Sequence, residues 1–167
     1  VRIVALGDAD ADAAAAACRA MGLAVRDQDP ALTLVLVGDY LDPALAGLNR
    51  ALLAEGRPWL PAKTGGAEVW VGPVFRPGDG PCWACMEVRL RAHRQAAARR
   101  PPFPDTSLAA TRALGVQAAV LEAAKWLAGM RHEGQQAIWT LDTATLTAGH
   151  HPVTRRPQCA VCGDPEA

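Results

Sequence analysis

The apolar positions of this chain fall in short continuous runs near its start and at helical spacing further on. Residues 1–6 form one such run, ended by Gly7, and read as a buried strand. The alanine-rich stretch 9–21 predicts a helix, with Asp8, Asp10 or Asp12 available to cap its first turn and Gly22 placed to end it. Residues 23–26 predict a second short strand. Residues 32–37 predict a third, continuously apolar as expected inside a parallel sheet. Asp42-Pro43 then opens a helix that runs to Glu55, with Gly56 behind it. Residues 58–60 and 67–75 continue in extended form, the latter through the alternation Glu68-Val69-Trp70-Val71. Strands alternating with helices predict an α/β fold, a mostly parallel sheet flanked by helices.

A proline- and glycine-rich turn over 76–81 leads into a helical stretch, residues 82–98, in which Arg89, Arg91 and Arg94 recur. Pro101-Pro102-Phe103-Pro104 ends it and begins a loop. The longest predicted helix is 107–130. Val116, Val120, Leu127 and Met130 share one face of it with Ala123 and Ala124, and Glu122 and Lys125 lie opposite. Residues 137–141 and 146–148 read as two closing strands with Asp142 in the turn between them. No repeat and no linker divides the chain, so a single domain over 1–167 is expected.

The chemistry is concentrated in cysteine. Four of the five cysteines form two C-x-x-C pairs, Cys82-Trp83-Ala84-Cys85 and Cys159-Ala160-Val161-Cys162. Four thiolates are the ligand set of a closed tetrahedral zinc site, so structural Zn2+ on Cys82, Cys85, Cys159 and Cys162 is expected. Two disulfides or a thiol redox centre fit less well. No signal peptide is visible, and a redox C-x-x-C would follow an early strand. The pairs lie much further apart than in a small zinc finger. The metal would therefore staple the C-terminal tail back to mid-chain, stabilising by about a few kcal/mol through loop closure.

Lys plus Arg and Asp plus Glu each number 17, and this balance argues against a nucleic-acid surface. No apolar run is long enough to span a membrane, and the expectation is a soluble, cytoplasmic protein. Cys18, inside the first helix, reads as a buried packing residue. Asp27 follows Gly7 at the spacing of a ribose-binding acid, but without the glycine pattern that would support it. His150 and His151 precede the second pair and read as exposed turn residues, as His93 and His132 read as surface.

Three stretches carry a family resemblance. They are Val37-Gly38-Asp39 with its following helix and Gly56-Arg57-Pro58-Trp59, the two cysteine knuckles Gly80–Cys85 and Pro157–Gly163, and Ala113-Leu114-Gly115-Val116-Gln117 between them. Together they resemble the ThiF-type fold of ubiquitin-activating-like enzymes, a Rossmann-like sheet with a zinc-stapled tail. Within that family the chain looks most like the cyclodehydratase partner proteins of thiazole- and oxazole-modified peptide (bacteriocin) biosynthesis. The resemblance implies a scaffold that presents a ribosomal precursor peptide to a YcaO-type cyclodehydratase, which closes azoline rings with ATP. The partners it implies are that enzyme, the peptide and, in a homodimer, a second copy. An N-terminal winged-helix peptide-binding domain, present in many members, is expected to be missing from this chain.

The departures point the same way. Adenylating members need a glycine-rich turn after the first strand so that backbone N–H groups can reach phosphates. Here that turn is Gly7-Asp8-Ala9-Asp10-Ala11-Asp12. Carboxylates within roughly 5 Å of one another repel by several kcal/mol in a partly desolvated site, which opposes a polyphosphate. The arginine expected after Asp39 is replaced by Ala44 and Leu45, and the crossover loop 99–106 has no cysteine for a thioester. Asp39 matches the family's magnesium-binding carboxylate but reads as a strand-end polar residue. No catalytic and no cofactor-binding residue is therefore assigned. The competing expectation is an ATP-dependent adenylating enzyme.

Overall fold

The computed structural model describes residues 1–97 and 107–164. The strands are β1 (Arg2–Ala5), β2 (Thr33–Leu36), β3 (Trp59–Lys63), β4 (Glu68–Val71), β5 (Ala137–Asp142) and β6 (Ala148–Pro152), and they form one sheet in chain order. The helices are α1 (Ala11–Ala20), α2 (Ala44–Ala54), α3 (Trp83–Ala97) and α4 (Ala109–Leu127), with a 3-10 turn at Glu133–Gln136. Helices α1 and α4 cover one face of the sheet, and α2 and α3 the other. Because both faces are covered, β2 is apolar at every position but one. Leu34 and Leu36 point toward α1 and α4, and Val35 toward α2 and α3.

The α/β class and the flanking helices are as expected, and the pairing adds a distinction. Only β1–β2 and β2–β3 are parallel; β3–β4, β4–β5 and β5–β6 are antiparallel. The short links after β3 and β5 decide the first and last of these three pairings, since a parallel return needs a crossover of a dozen residues or so; β4 and β5 are joined through α3 and α4.

Three boundaries also move. The stretch 23–26 is not a strand. It lies along β1 on the edge opposite β2, but bonds only through Val1, whose N donates to the Ala24 carbonyl at 2.8 Å and whose carbonyl accepts from Arg26 N–H at 3.0 Å. The last strand starts at Ala148 rather than at residue 146. Asp142 accepts bonds from the N–H groups of Ala144 (2.8 Å) and Thr145 (3.0 Å), and Leu146 takes a φ of +57°, which spends residues 143–147 on the turn. The α4 helix stops at Leu127, before Gly129 (φ +79°), which leaves Met130 exposed beyond it.

The buried face of α4 is Gly115, Val116, Ala119, Val120, Ala123 and Trp126, with Leu127 at its flank. Its small residues meet Ala14, Ala17 and Cys18 of α1, so the two helices pack closely and Cys18 is wholly buried, as a packing residue should be. Gly115 sets the approach to the sheet: a Cβ there would stand 2.6 Å from the Thr64 carbonyl oxygen and 2.7 Å from its Cα.

Two substitutions test this seating. Val120→Asp, placing an unpaired charge in a site with no solvent access, is expected to cost about 4 kcal/mol or more. Gly115→Ala must push α4 off the end of β3 and is expected to cost about 1–3 kcal/mol. Urea unfolding measures both, and an unchanged midpoint for Gly115→Ala would mean that α4 does not sit on Thr64.

Candidate functional site

The first cysteine pair is held from the core beneath it. Trp83, between the two cysteines, donates its indole N–H to the Tyr40 carbonyl at 2.9 Å and its backbone N–H to Asn49 Oδ1 at 3.2 Å. Tyr40 in turn donates its hydroxyl to the Pro61 carbonyl at 2.8 Å and packs edge-on to Trp70, 5.2 Å between centroids. Cys82 immediately precedes α3 and Cys85 lies in its first turn, with Cys85 N–H on the Cys82 carbonyl at 3.0 Å. The start of a helix favours thiolate over thiol.

The second pair reaches the first through the tail. Val153 is buried and donates its N–H to the Gln136 carbonyl at 2.9 Å, and Arg89 of α3 donates to the Thr154 carbonyl at 3.0 Å. A tight turn then closes on Gly163, whose N–H bonds the Cys159 carbonyl at 2.8 Å. A Cβ at Gly163 would fall 2.2 Å from the Pro157 carbonyl oxygen, so only glycine fits. Arg155 donates to the Cys162 carbonyl, and Arg156 N–H points at Cys85 Sγ from 3.4 Å.

All four predicted cysteines are brought together. Their sulfurs lie within 4.8 Å of one another, with Cys82–Cys159 at 3.8 Å and Cys85–Cys162 at 3.5 Å. A tetrahedral ion with bonds of about 2.3 Å to sulfur has S···S edges of about 3.8 Å, so the cluster fits one. No pair is bonded as a disulfide. Three of the four side chains are buried, with Leu53, Ala84 and Val161 packed around them. Burial pushes the Cys82 thiol up, and burial with the neighbouring sulfurs pushes Cys162 up. At Cys159 burial also opposes the thiolate. Bonds from the N–H groups of Cys162 and Val161 and from Cys85 and Cys82 outweigh it and bring the thiol down to about 7. Four sulfurs at this spacing could hold a metal ion, which would take them as thiolates. The histidines take no part: His150 sits on β6 with its ring 3.3 Å from the Gly134 carbonyl, and His151 beside it is 3.3 Å from Thr140 Oγ1. Both are strand residues, not turn residues.

A second feature opens at the carboxyl ends of the parallel strands. The chain lays 23–26 on one side of β1 and β2 on the other, so the path reverses at β1, the place where open α/β sheets form a crevice. A cavity of about 710 Å³ lies there, bounded by Gly7, Asp10, Asp39, Lys63, Thr64 and Arg112. Three of its charged groups, Asp10, Lys63 and Asp39, already have partners. Asp10 caps α1, accepting from Ala13 N–H at 2.8 Å and so taking the helix-end donor that a phosphate would use. Asp8, Asp10 and Asp12 are exposed, so water screens their mutual repulsion and the cap is the stronger obstacle. Lys63 Nζ bonds the carbonyls of Gly65 and Glu68, both at 3.0 Å.

Asp39 is more than a strand-end residue. Arg94 of α3 grips both its oxygens, at 2.7 and 2.9 Å, and Leu41 N–H adds a third bond at 2.9 Å. The Arg94 guanidinium holds the Asp39 carboxyl below the ordinary range. The arginines of α3 are thus not simply a solvated face: Arg89 holds the tail, Arg94 holds Asp39, and Arg91 pairs with Glu87 at 2.7 Å. Arg99, Arg100 and the rest of the crossover loop lie outside the described residues. Asp27 is exposed and does not line the crevice. Sequence reading missed Lys63 and Arg94. In an arginine-rich chain with lysine only at 63 and 125, that scarcity was the available signal for Lys63; nothing local marked Arg94.

The chain is similar to the heterocyclase TruD. It superposes on the TruD structure with a TM-score of 0.86 and 32% identity, over 99% of this chain and 27% of that one. A heterocyclase in complex with substrate and cofactor matches with a TM-score of 0.85 and 32% identity, over 98% of this chain and 25% of that one. The chain thus spans about a quarter of the length of the TruD-like structures it matches. E. coli MccB bound to ATP matches at 15% identity with a TM-score of 0.61, over 87% of this chain and 47% of that one, a likeness of fold alone. No family model and no curated protein matches the sequence.

Two outcomes follow from this geometry. Replacing any one of Cys82, Cys85, Cys159 or Cys162 by Ser leaves three sulfurs and is expected to remove most of the bound metal, as elemental analysis of the purified chain would read. A full metal complement in all four variants would dismiss the site. Arg94→Met is expected to raise the Asp39 pKa toward the usual value of about 3.9. Because the folded value is depressed, the pair's stabilisation is present above that usual value and fades as pH falls through it. The pair is half-exposed, so its loss should cost no more than about 1 kcal/mol at neutral pH. NMR titration of the Asp39 carboxyl in both proteins checks the direction.

Proposed function

We propose that this chain is the ThiF-like scaffold of a peptide heterocyclase system, stapled by one structural zinc ion and without nucleotide chemistry of its own. Cys82, Cys85, Cys159 and Cys162 hold the zinc, whose contribution is to fix the tail against the start of α3. The scaffold presents a ribosomal precursor peptide to a YcaO-type cyclodehydratase, and that enzyme carries the ATP-dependent ring closure.

The observation that carries this reading is the state of the crevice. Asp10 takes the Ala13 N–H at the start of α1, Lys63 is bonded to two carbonyls, and Asp39 is gripped by Arg94. A polyphosphate entering there would have to displace all three, in a site whose other charges include Asp8 and Asp42. The likeness to TruD, at 32% identity, supports the heterocyclase context. A second reading, an ATP-dependent adenylating enzyme, is favoured by the size of the cavity, about 710 Å³ at the expected end of the sheet.

The test is reconstitution. A YcaO-type enzyme with its precursor peptide should form rings slowly or not at all until this chain is supplied, together with a peptide-binding domain. Peptide mass is the readout, since each ring removes one water. ATP consumption by the chain and peptide alone, or full activity of the enzyme without the chain, would sink the scaffold reading. Tight equilibrium binding of ATP and magnesium by the chain would favour the second one.

A further inference from the structure

A smaller pocket lies on the α4 face of the sheet, away from both the sulfur cluster and the crevice. Its volume is about 250 Å³. Val71, Val74 and Trp139 of the sheet side and Ala118 and Leu121 of α4 make it apolar. Glu122, Lys125, His132, Gln135 and His150 break that lining, and two of them have buried atoms without a hydrogen bond. Gln135, in the 3-10 turn, is only 5% exposed, and its Nε2 has no hydrogen-bond partner. Glu122 of α4, expected on a solvated face, is instead turned in: its side chain is 17% exposed, Oε2 pairs with Lys125, and buried Oε1 has no hydrogen bond. His132 Nε2 stands 3.9 Å from that oxygen. A buried amide donor and a buried carboxylate oxygen, each left without a hydrogen bond, are costly features that a ligand can relieve.

The pocket therefore lacks a group that accepts from Gln135 and donates to Glu122. A carboxamide does both, through its oxygen and its NH₂. A carboxylate would meet Glu122 with like charge, and an aliphatic chain would leave both groups unpaired. The surroundings suit a peptide as its carrier. Leu121 is 52% exposed at the mouth, and His150 brings in β6, whose outer side pairs with no strand among the described residues and suits an extended chain.

We infer that the pocket between α4 and β5 binds a peptide through one carboxamide side chain, asparagine or glutamine, seated between Gln135 and Glu122. The inference goes beyond the scaffold reading and does not depend on it, because it concerns the chain alone and needs neither ATP nor a partner enzyme.

The experiment titrates the ¹⁵N-labelled chain with N-acetyl-glutamine amide, and in parallel with the glutamate and leucine analogues. Saturable shifts of the Gln135 side-chain NH₂ and the Trp139 indole N–H are expected with the glutamine compound, and binding about tenfold weaker or worse with the other two, whose side chains leave a buried group unpaired. Gln135→Met should weaken the glutamine compound about tenfold by removing one of the two bonds. Ala118→Phe, filling the pocket from α4, should abolish its binding; metal content checks that both variants keep their fold. Absence of saturable shifts, equal binding of the three compounds, or a pocket that holds only water would overturn the inference. If Gln135→Met does not fold, the ranking of the three compounds on the unaltered chain decides.

Discussion

Four sulfurs meeting within 4.8 Å join parts of the chain 77 residues apart, and much of the architecture hangs on that crossing. Between the two pairs lie most of α3, all of α4, and the last two strands, β5 and β6. As a cross-link over a loop this long, a metal at the sulfurs would restrict the unfolded chain by about 4 kcal/mol on the loop-entropy model. It would also place the tail, which otherwise rests on one buried valine and a few backbone bonds. The first pair is built into the core by Trp83, Tyr40 and Asn49, whereas the second is carried on a turn that only Gly163 permits. One end of the staple is thus rigid before any metal arrives, and the other is brought to it.

The crevice shows how a nucleotide-fold outline can persist while its polar groups turn inward on one another. The reversal of the chain at β1 still opens a cavity at the carboxyl ends of the parallel strands. Three groups lining it serve the fold: Asp10 closes the helix end, Lys63 closes a turn, and Asp39, just past β2, is bridged by Arg94 of α3. Arg94 and Arg89 share a helix, so α3 links the cysteine cluster, the crevice and the tail. Structural pairing of charged groups is the common thread of this half of the molecule.

What was legible in the sequence was local or carried by residue chemistry. The spacing of Cys82, Cys85, Cys159 and Cys162 announced a ligand set, because no other residue type combines thiolate chemistry with that repeat. The continuous apolar run over 32–37 announced a strand covered on both faces, and the pattern of Val116, Val120 and Ala123 the buried side of α4. Those signals come from periods of one element, which the chain writes in its own order. The stretch 23–26 had the composition of a strand, yet it meets the outer edge of β1 only through the two bonds of Val1.

What only the tertiary structure decided were the pairings between distant positions. Asp39 and Arg94 are 55 residues apart, and nothing near either one marks the other. The direction of β4 against β3 and of β6 against β5 depends on how links of a few residues constrain a returning strand, which hydrophobic periodicity does not encode. Glu122 looked solvated because its helix face is mixed, and it is turned in because the 3-10 turn with His132 and Gln135 folds over it. The sequence by itself determined which elements form and which residues can bind metal. The folded chain determined which charges meet, since that rests on distances set by packing rather than on spacing along the backbone.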